Sequence, residues 1–184
     1  MKKYIPVLFF VTVATVYLFG QFAFDFGDST ARISGKEKKI NAHFETMFNK
    51  SDFKTIDGKS IQLRTEKAPI VIINFWASWC KPCLEEFPSL IKLRNKYSAD
   101  QVQIIAVNTD VEKQLLEIKK TKKKYKLNFP IVADLKGDII SNYMVDAIPV
   151  SIIYNNGKIL EISNGSKDFY SEEVIETFDN LLKK

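Results

Sequence analysis

Two cysteines three residues apart, placed just after a continuous apolar run, limit the possible folds of this chain more than any other feature. The run Ile70–Trp76 is rich in β-branched and aromatic residues, which is typical of a central strand covered on both faces. Cys80 and Cys83 follow it, and apolar residues then recur at helical spacing up to about Tyr97. The pattern predicts a buried strand that turns into a helix, with both cysteines at the turn.

This position gives the two thiols different chemistry. Residues three apart in a first helical turn have β-carbons about 5 to 6 Å apart, close to disulfide reach. The unpaired N–H groups at a helix start favour a thiolate, so Cys80 is predicted to be the nucleophile. Cys83, one turn further in, is predicted to be more buried and to resolve the mixed disulfide. Pro82 suits a helix start because it has no N–H to leave unsatisfied.

The remaining patterns predict one α/β domain. The chain has 184 residues, of which 46% are hydrophobic and 27% charged, enough for one globular unit with an appendage. An Asp57-Gly58 turn between alternating segments predicts a β-hairpin. Alternating strands and helices follow, which implies parallel pairing, and a second hairpin and a last helix close the chain. The predicted strands and helices after the cysteines are 102–108, 112–126, 131–133, 150–154, 158–162 and 171–183.

The N-terminus carries a membrane-targeting segment. Lys2 and Lys3 precede an uncharged run of 21 residues from Tyr4 to Phe24, long enough as a helix to cross a hydrocarbon core of about 30 Å. No Ala-x-Ala pattern follows it, so an uncleaved anchor is favoured over a cleaved signal peptide. The positive-inside rule then places the rest of the chain outside the cytoplasm. The predicted organisation is residues 1–24 as anchor, 25–50 as linker and 51–184 as the domain.

Composition excludes several classes of protein. Two cysteines and one histidine are too few for a disulfide-rich scaffold or a structural zinc site made of Cys and His ligands. The net charge of +5 is modest, and the lysine-rich stretch 119–126 carries no nucleic-acid-binding motif. That stretch is predicted to be a solvated helix face, with attraction to anionic lipids as the alternative. No cofactor, bound metal or nucleic-acid partner is predicted.

The motif itself resembles a known family. The string Asn74-Phe75-Trp76-Ala77-Ser78-Trp79-Cys80-Lys81-Pro82-Cys83, followed by Glu85-Glu86-Phe87-Pro88, is similar to the membrane-anchored thioredoxin-like proteins of the ResA and TlpA family. The resemblance covers residues 51–184. It implies a thioredoxin-like fold, a central mixed sheet flanked by helices, with an added N-terminal β-hairpin.

The resemblance also implies further site residues. Ile148-Pro149 matches the position of the fold's cis-proline, where a partner's backbone would pair with Ile148. Trp79, Lys81 and Pro82 would join them in binding the substrate. Thioredoxins proper have a buried aspartate where this chain has Asn74, whereas members of this family use a glutamate three residues after the second cysteine. Glu86 matches that glutamate and is expected to assist proton transfer, with a solvated surface carboxylate as the alternative.

The predicted function is that of an extracytoplasmic thiol-disulfide oxidoreductase. It would reduce disulfides in exported proteins such as apocytochrome c, with electrons from a membrane thiol transporter of the CcdA or DsbD kind. The domain would lie in the periplasm or an equivalent space, held at the inner membrane by the N-terminal segment.

A structural disulfide across three residues would stabilise little. Copper binding by the same cysteine pair is the main alternative. A thiol peroxidase is less favoured because no cysteine lies in a Pro-x-x-x-Thr-x-x-Cys context.

Overall fold

A computed structural model describes residue 35 and residues 37–183, and a compact unit begins at His43. The predicted anchor, residues 1–24, and the first part of the predicted linker, residues 25–34, lie outside the described residues. Within residues 35 and 37–183, no helix is both long and apolar enough to span a membrane.

The elements alternate as the sequence patterns predict. A helix, α1, covers residues 37–50. The elements after it are β1 (Asp52–Lys54), β2 (Ser60–Gln62), a 3-10 turn (Leu63–Thr65), β3 (Ile70–Trp76), α2 (Lys81–Lys96), β4 (Val102–Asn108), α3 (Gln114–Tyr125), β5 (Ile131–Ala133), α4 (Asp138–Asn142), β6 (Val150–Asn155), β7 (Lys158–Asn164) and α5 (Glu172–Leu182). The sequence patterns predict neither the 3-10 turn nor the short helix α4.

The central sheet is mixed and has the strand order β5-β4-β3-β6-β7. β3, β4 and β5 run parallel, as expected for strands joined by helices. β6 and β7 form an antiparallel hairpin, and β6 also pairs antiparallel with β3. The strands β1 and β2 form the predicted N-terminal hairpin, with Gly58 at φ +83°, a conformation that glycine adopts at little cost.

The core lies on both faces of the sheet because β3 and β4 are buried along their whole length. Residues of α2, α3 and α5 pack in the cluster on one face, together with Ile72 and Trp76 of β3. Phe75 points to the opposite face, as strand alternation requires, and its ring lies 5.5 Å from that of Tyr143. Pro88 is inside α2 but on its exposed side, and the helix continues past it.

The domain's packing begins before the predicted boundary at residue 51. Phe44 and Phe48, in the stretch assigned to the linker, are 6% and 7% exposed. The ring of Phe48 lies 4.9 Å from that of Tyr154 in β6, and the Tyr154 hydroxyl donates to the Phe44 carbonyl at 3.0 Å. The second half of α1 is therefore part of the domain's core.

Some apolar residues lie outside the core. From sequence alone Met144 would be assigned to the core by default, but it is 52% exposed. It follows the end of α4 and has a φ of +49°, in the left-handed region. In the predicted helix α3, Leu115 and Leu116 are about half exposed, and Ile118 is buried. The reason is that α3 packs against the sheet through a narrow stripe consisting of Gln114, Ile118 and Thr121.

Candidate active site

The cysteine pair lies where the sequence predicts, between β3 and α2. Cys80 is the N-cap of α2, with extended backbone angles, and Lys81 and Pro82 form the first turn. Cys80 and Cys83 are joined in a disulfide with their α-carbons 5.3 Å apart. The Cys83 N–H points at the Cys80 sulfur, 3.3 Å away. An N–H group at a helix start thus faces the sulfur that would carry the thiolate charge.

Burial differs between the two sulfur-bearing residues in the predicted direction. Cys80 is 4% exposed, whereas Cys83 is fully buried. Asp110 connects the loop before the cysteines to the end of β4. Its Oδ1 accepts the Ser78 N–H at 2.9 Å, and its Oδ2 accepts from the Asn108 side-chain amide at 3.0 Å. The sequence reasoning missed Asp110. The available signal was a carboxylate just after β4. Because β3 and β4 are parallel, it lies at the same end of the sheet as the cysteine motif after β3.

The peptide bond between Ile148 and Pro149 is cis, as the resemblance implies. The register of the sheet pairs Phe75 with Val150, so the proline lies at the end of the sheet where the cysteine motif starts. Ile148 and Trp79 line the same groove. The structure therefore brings the two predicted substrate-binding segments together.

Three residues of the motif point outward. Trp79 is 73% exposed, whereas Trp76 is fully buried and makes an edge contact with Phe87 at 5.1 Å. Lys81 and Pro82 are exposed, and the Lys81 ammonium is 3.7 Å from the Glu85 carboxylate. Trp79 therefore packs little against its own domain and is available to a partner.

Glu86 lies inside the protein. It is 2% exposed, so the alternative of a solvated surface carboxylate is wrong; its neighbour Glu85 is the exposed one. The Glu86 Oε1 accepts from the Asn74 amide, and its Oε2 accepts from the Lys167 backbone N–H at 3.3 Å. The Asn74 amide also donates to Ser151 at 3.0 Å.

Burial raises the pKa of Glu86 from 4.5 to about 7, while the hydrogen bonds from Asn74 and from the Lys167 backbone act in the opposite direction. Glu86 follows Cys83 by three residues, so both lie on the buried face of α2. A carboxyl group with a pKa near neutrality can both accept and return a proton at physiological pH. Its assistance in proton transfer remains a prediction.

Ser151 and Lys167 also escaped the sequence reasoning. Ser151 is the cross-strand partner of Asn74, a relation that only the register reveals, and Lys167 acts through its backbone, which has no sequence signal. With regard to metals, the described part of the chain has no group of three or more His, Cys, Asp or Glu residues placed so that it could hold a metal ion.

Comparisons with known proteins agree with this geometry. The pattern of the AhpC/TSA family matches residues 44–162. The thiol-disulfide oxidoreductase ResA of Bacillus thuringiensis subsp. konkukian is 36% identical over 130 residues, 70% of each chain. ResA of Halalkalibacterium halodurans is 31% identical over 180 residues, 97% of this chain and 93% of that protein. The crystal structure of StoA from Bacillus subtilis matches with a TM-score of 0.59 and 29% identity, covering 70% of this chain and 95% of that one.

Proposed function

This chain belongs to the AhpC/TSA family and is a thiol-disulfide oxidoreductase of the ResA type, and on that basis we propose that it reduces disulfides in exported proteins such as apocytochrome c. The observation that carries the proposal is the disulfide between Cys80 and Cys83 at the N-terminus of α2, at the same sheet edge as the cis bond before Pro149. The disulfide form is the product of the reducing reaction.

The proposed reaction has two steps. In the reduced protein, the Cys80 thiolate attacks one sulfur of the substrate disulfide; that bond breaks and a substrate thiolate leaves. Cys83 then loses its proton and attacks the Cys80 sulfur, which releases the second substrate thiolate and forms the disulfide of the structure. Two electrons pass from the protein's dithiol to the substrate. A membrane thiol donor of the CcdA or DsbD kind would return them.

The direction of electron flow follows from what stabilises the thiolate. A strong oxidant needs a stabilised thiolate in its reduced form. Here the cation nearest in sequence, Lys81, has an 87% exposed side chain, so water screens it. A buried carboxyl group, Glu86, lies one turn beyond Cys83 and when ionised opposes a second negative charge. Both features support a reductant.

Substrate docking is proposed at the cis-proline. Ile148 lies two residues before β6, which begins at Val150. Within the described residues, its N–H and C=O form no hydrogen bond with another backbone group. An extended substrate segment can therefore pair with its backbone, which would hold the substrate disulfide beside Cys80. We place this step outside the cytoplasm, on the basis of Lys2, Lys3 and the apolar run after them.

Equilibration with glutathione at graded ratios tests the proposal. Thioredoxin lies at about −270 mV and the oxidant DsbA at about −120 mV. We expect a midpoint at or below about −230 mV and rapid reduction of an oxidised Cys-x-x-Cys-His peptide by the reduced protein. A midpoint near that of DsbA, or failure to reduce the peptide, would overturn the proposal. Cys83→Ser serves as the matched variant, since it should accumulate a mixed disulfide through Cys80.

A further inference from the structure

A groove runs from the cysteine motif along the carboxyl ends of the parallel strands. It has a volume of about 640 Å³, and its walls are the motif loop, the loops after β4 and β5, and the segment before the cis-proline. Trp79 forms its wall next to Cys80, and Ile148 forms another part. A polypeptide whose cysteine reaches Cys80 would therefore pass over this groove.

The rim of the groove exposes large apolar side chains. Trp79 is 73% exposed, Val111 95% and Leu135 69%, and all three line the groove. Single exposed apolar residues are normal on protein surfaces, but several around one concave site mark a binding surface. Val111 and Leu135 follow β4 and β5 in loops, so folding of the core does not account for their apolar character.

The groove is acidic although the protein is basic. Three aspartates and one lysine line it, namely Asp110, Asp134, Asp146 and Lys136, whereas the whole chain has a net charge of +5. Asp134 accepts the backbone N–H groups of Ile139 and Ile140 at the start of α4. Asp146 is exposed. In the described part of the chain, none of the three aspartates forms an ion pair, so their charge is not neutralised by a neighbouring side chain.

We propose that this groove selects substrates in which an apolar side chain and a lysine or arginine lie next to the reacting cysteine. The apolar side chain would lie against Val111 and Leu135, and the cation would lie near Asp146. This specificity rests on the function proposed above. The occupant is a basic segment of the substrate protein. The groove adjoins the cysteine motif through Trp79, and its aspartates attract a positively charged segment.

Peptide pairs in single-turnover reactions test the proposal. The reduced full-length protein in nanodiscs is mixed with oxidised peptides that carry Leu-Lys, Leu-Glu or Ser-Lys beside the cysteine, and the rate of peptide reduction is measured. We expect Leu-Lys to react about twofold to fivefold faster than Leu-Glu at low salt, the range that one partly exposed ion pair provides, and the ratio should fall at high salt. Equal rates for Leu-Lys and Leu-Glu would overturn the proposal.

Variants connect the preference to the groove. Asp146→Lys should reverse the ratio of Leu-Lys to Leu-Glu, and Leu135→Ser should reduce the preference for Leu-Lys over Ser-Lys about threefold or more. Asp100→Lys, at an exposed position outside the groove, makes the same change of charge as Asp146→Lys and is the control, which should keep both ratios. A ratio that is the same in Asp146→Lys and in wild type would contradict the proposal. Because ratios are compared within each variant, a general loss of reactivity does not affect them.

The same experiment separates this proposal from the proposed function. Reduction of glutathione disulfide needs Cys80 and Cys83 but involves no long segment in the groove. Suppose that the wild-type protein reduces glutathione disulfide and that it reduces the three peptides at rates similar to one another. The groove proposal is then wrong and the reductase function stands. If the protein reduces none of these substrates, the reductase function itself fails.

Discussion

At the scale of single residues, the two cysteines differ by their position in one helical turn. Cys80 caps α2 and Cys83 lies at its third position, fully buried. In the reduced protein we expect limiting iodoacetamide to label Cys80 first, because it combines access with the thiolate-stabilising helix start. Peptide mapping by mass spectrometry gives the site. Labelling mainly at Cys83 would reverse the assignment of nucleophile and resolving thiol.

Glu86 has a predicted effect on thiol chemistry. If its carboxylate accepts the Cys83 proton, Glu86→Gln should slow resolution of the mixed disulfide about a hundredfold or more and leave attack by Cys80 largely intact. Removing the carboxylate should also lower the apparent pKa of the cysteine pair. Stopped-flow kinetics measures the rate of resolution. Thiolate absorbance at about 240 nm, followed against pH, measures the apparent pKa of the cysteine pair. Glu85→Gln, at an exposed position, is the control and should resemble wild type.

The same residue should make stability depend on pH. Burial raises the pKa of Glu86 from 4.5 to about 7, so the folded protein holds a proton that the unfolded chain has lost. This contribution to the free energy of unfolding is fully present below about pH 4.5 and is lost as the pH rises through 7. It amounts to roughly 3 kcal/mol.

Urea unfolding of the oxidised protein between pH 5 and 8 measures this loss. Glu86→Gln should flatten the pH dependence, because glutamine has no proton to lose, whereas Glu85→Gln should keep the wild-type slope. Parallel curves for wild type and Glu86→Gln would mean that the buried carboxyl group does not titrate in this window.

At the scale of elements, α1 tests where the domain begins. Phe48 is 7% exposed, and its ring also lies against Gly157 in the turn between β6 and β7, where an added β-carbon would be 3.3 Å from it. Phe48→Ala should lower the free energy of unfolding by about 3 to 5 kcal/mol. Lys50→Ala, at an exposed position of the same helix, should change it by less than about 0.5 kcal/mol. A loss below about 1 kcal/mol for Phe48→Ala would return this part of α1 to the linker.

At the scale of the whole molecule, the N-terminal segment carries a topology prediction. Lys2 and Lys3 should hold the N-terminus inside, with the apolar run from Tyr4 as an uncleaved anchor. An alkaline carbonate wash should therefore leave the full-length protein in the membrane pellet. Recovery of a soluble form that starts near Ala23 or later would establish a cleaved signal peptide instead.

Local patterns alone determined much of this protein. The strand Ile70–Trp76, the helix after it, both hairpins and the cysteine turn follow from periodicity, turn residues and apolar runs, which report on a residue's immediate neighbours. The resemblance in the motif added the cis-proline and Glu86. The local patterns lie within about ten residues of the feature they predict, whereas the cis bond before Pro149 was implied by a family resemblance whose main motif lies far from it in sequence.

Tertiary structure alone decided the rest, because it depends on residues far apart in sequence. Asn74 and Ser151 meet through the register of β3 and β6, and the buried Glu86 carboxyl group accepts the backbone N–H of Lys167, 81 residues later in the sequence. The burial of Phe48 depends on a turn more than a hundred residues later. The acidic groove combines four loops that no local pattern connects. Packing and desolvation depend on which residues are close together in space. The strand order of the sheet determines which distant segments become neighbours.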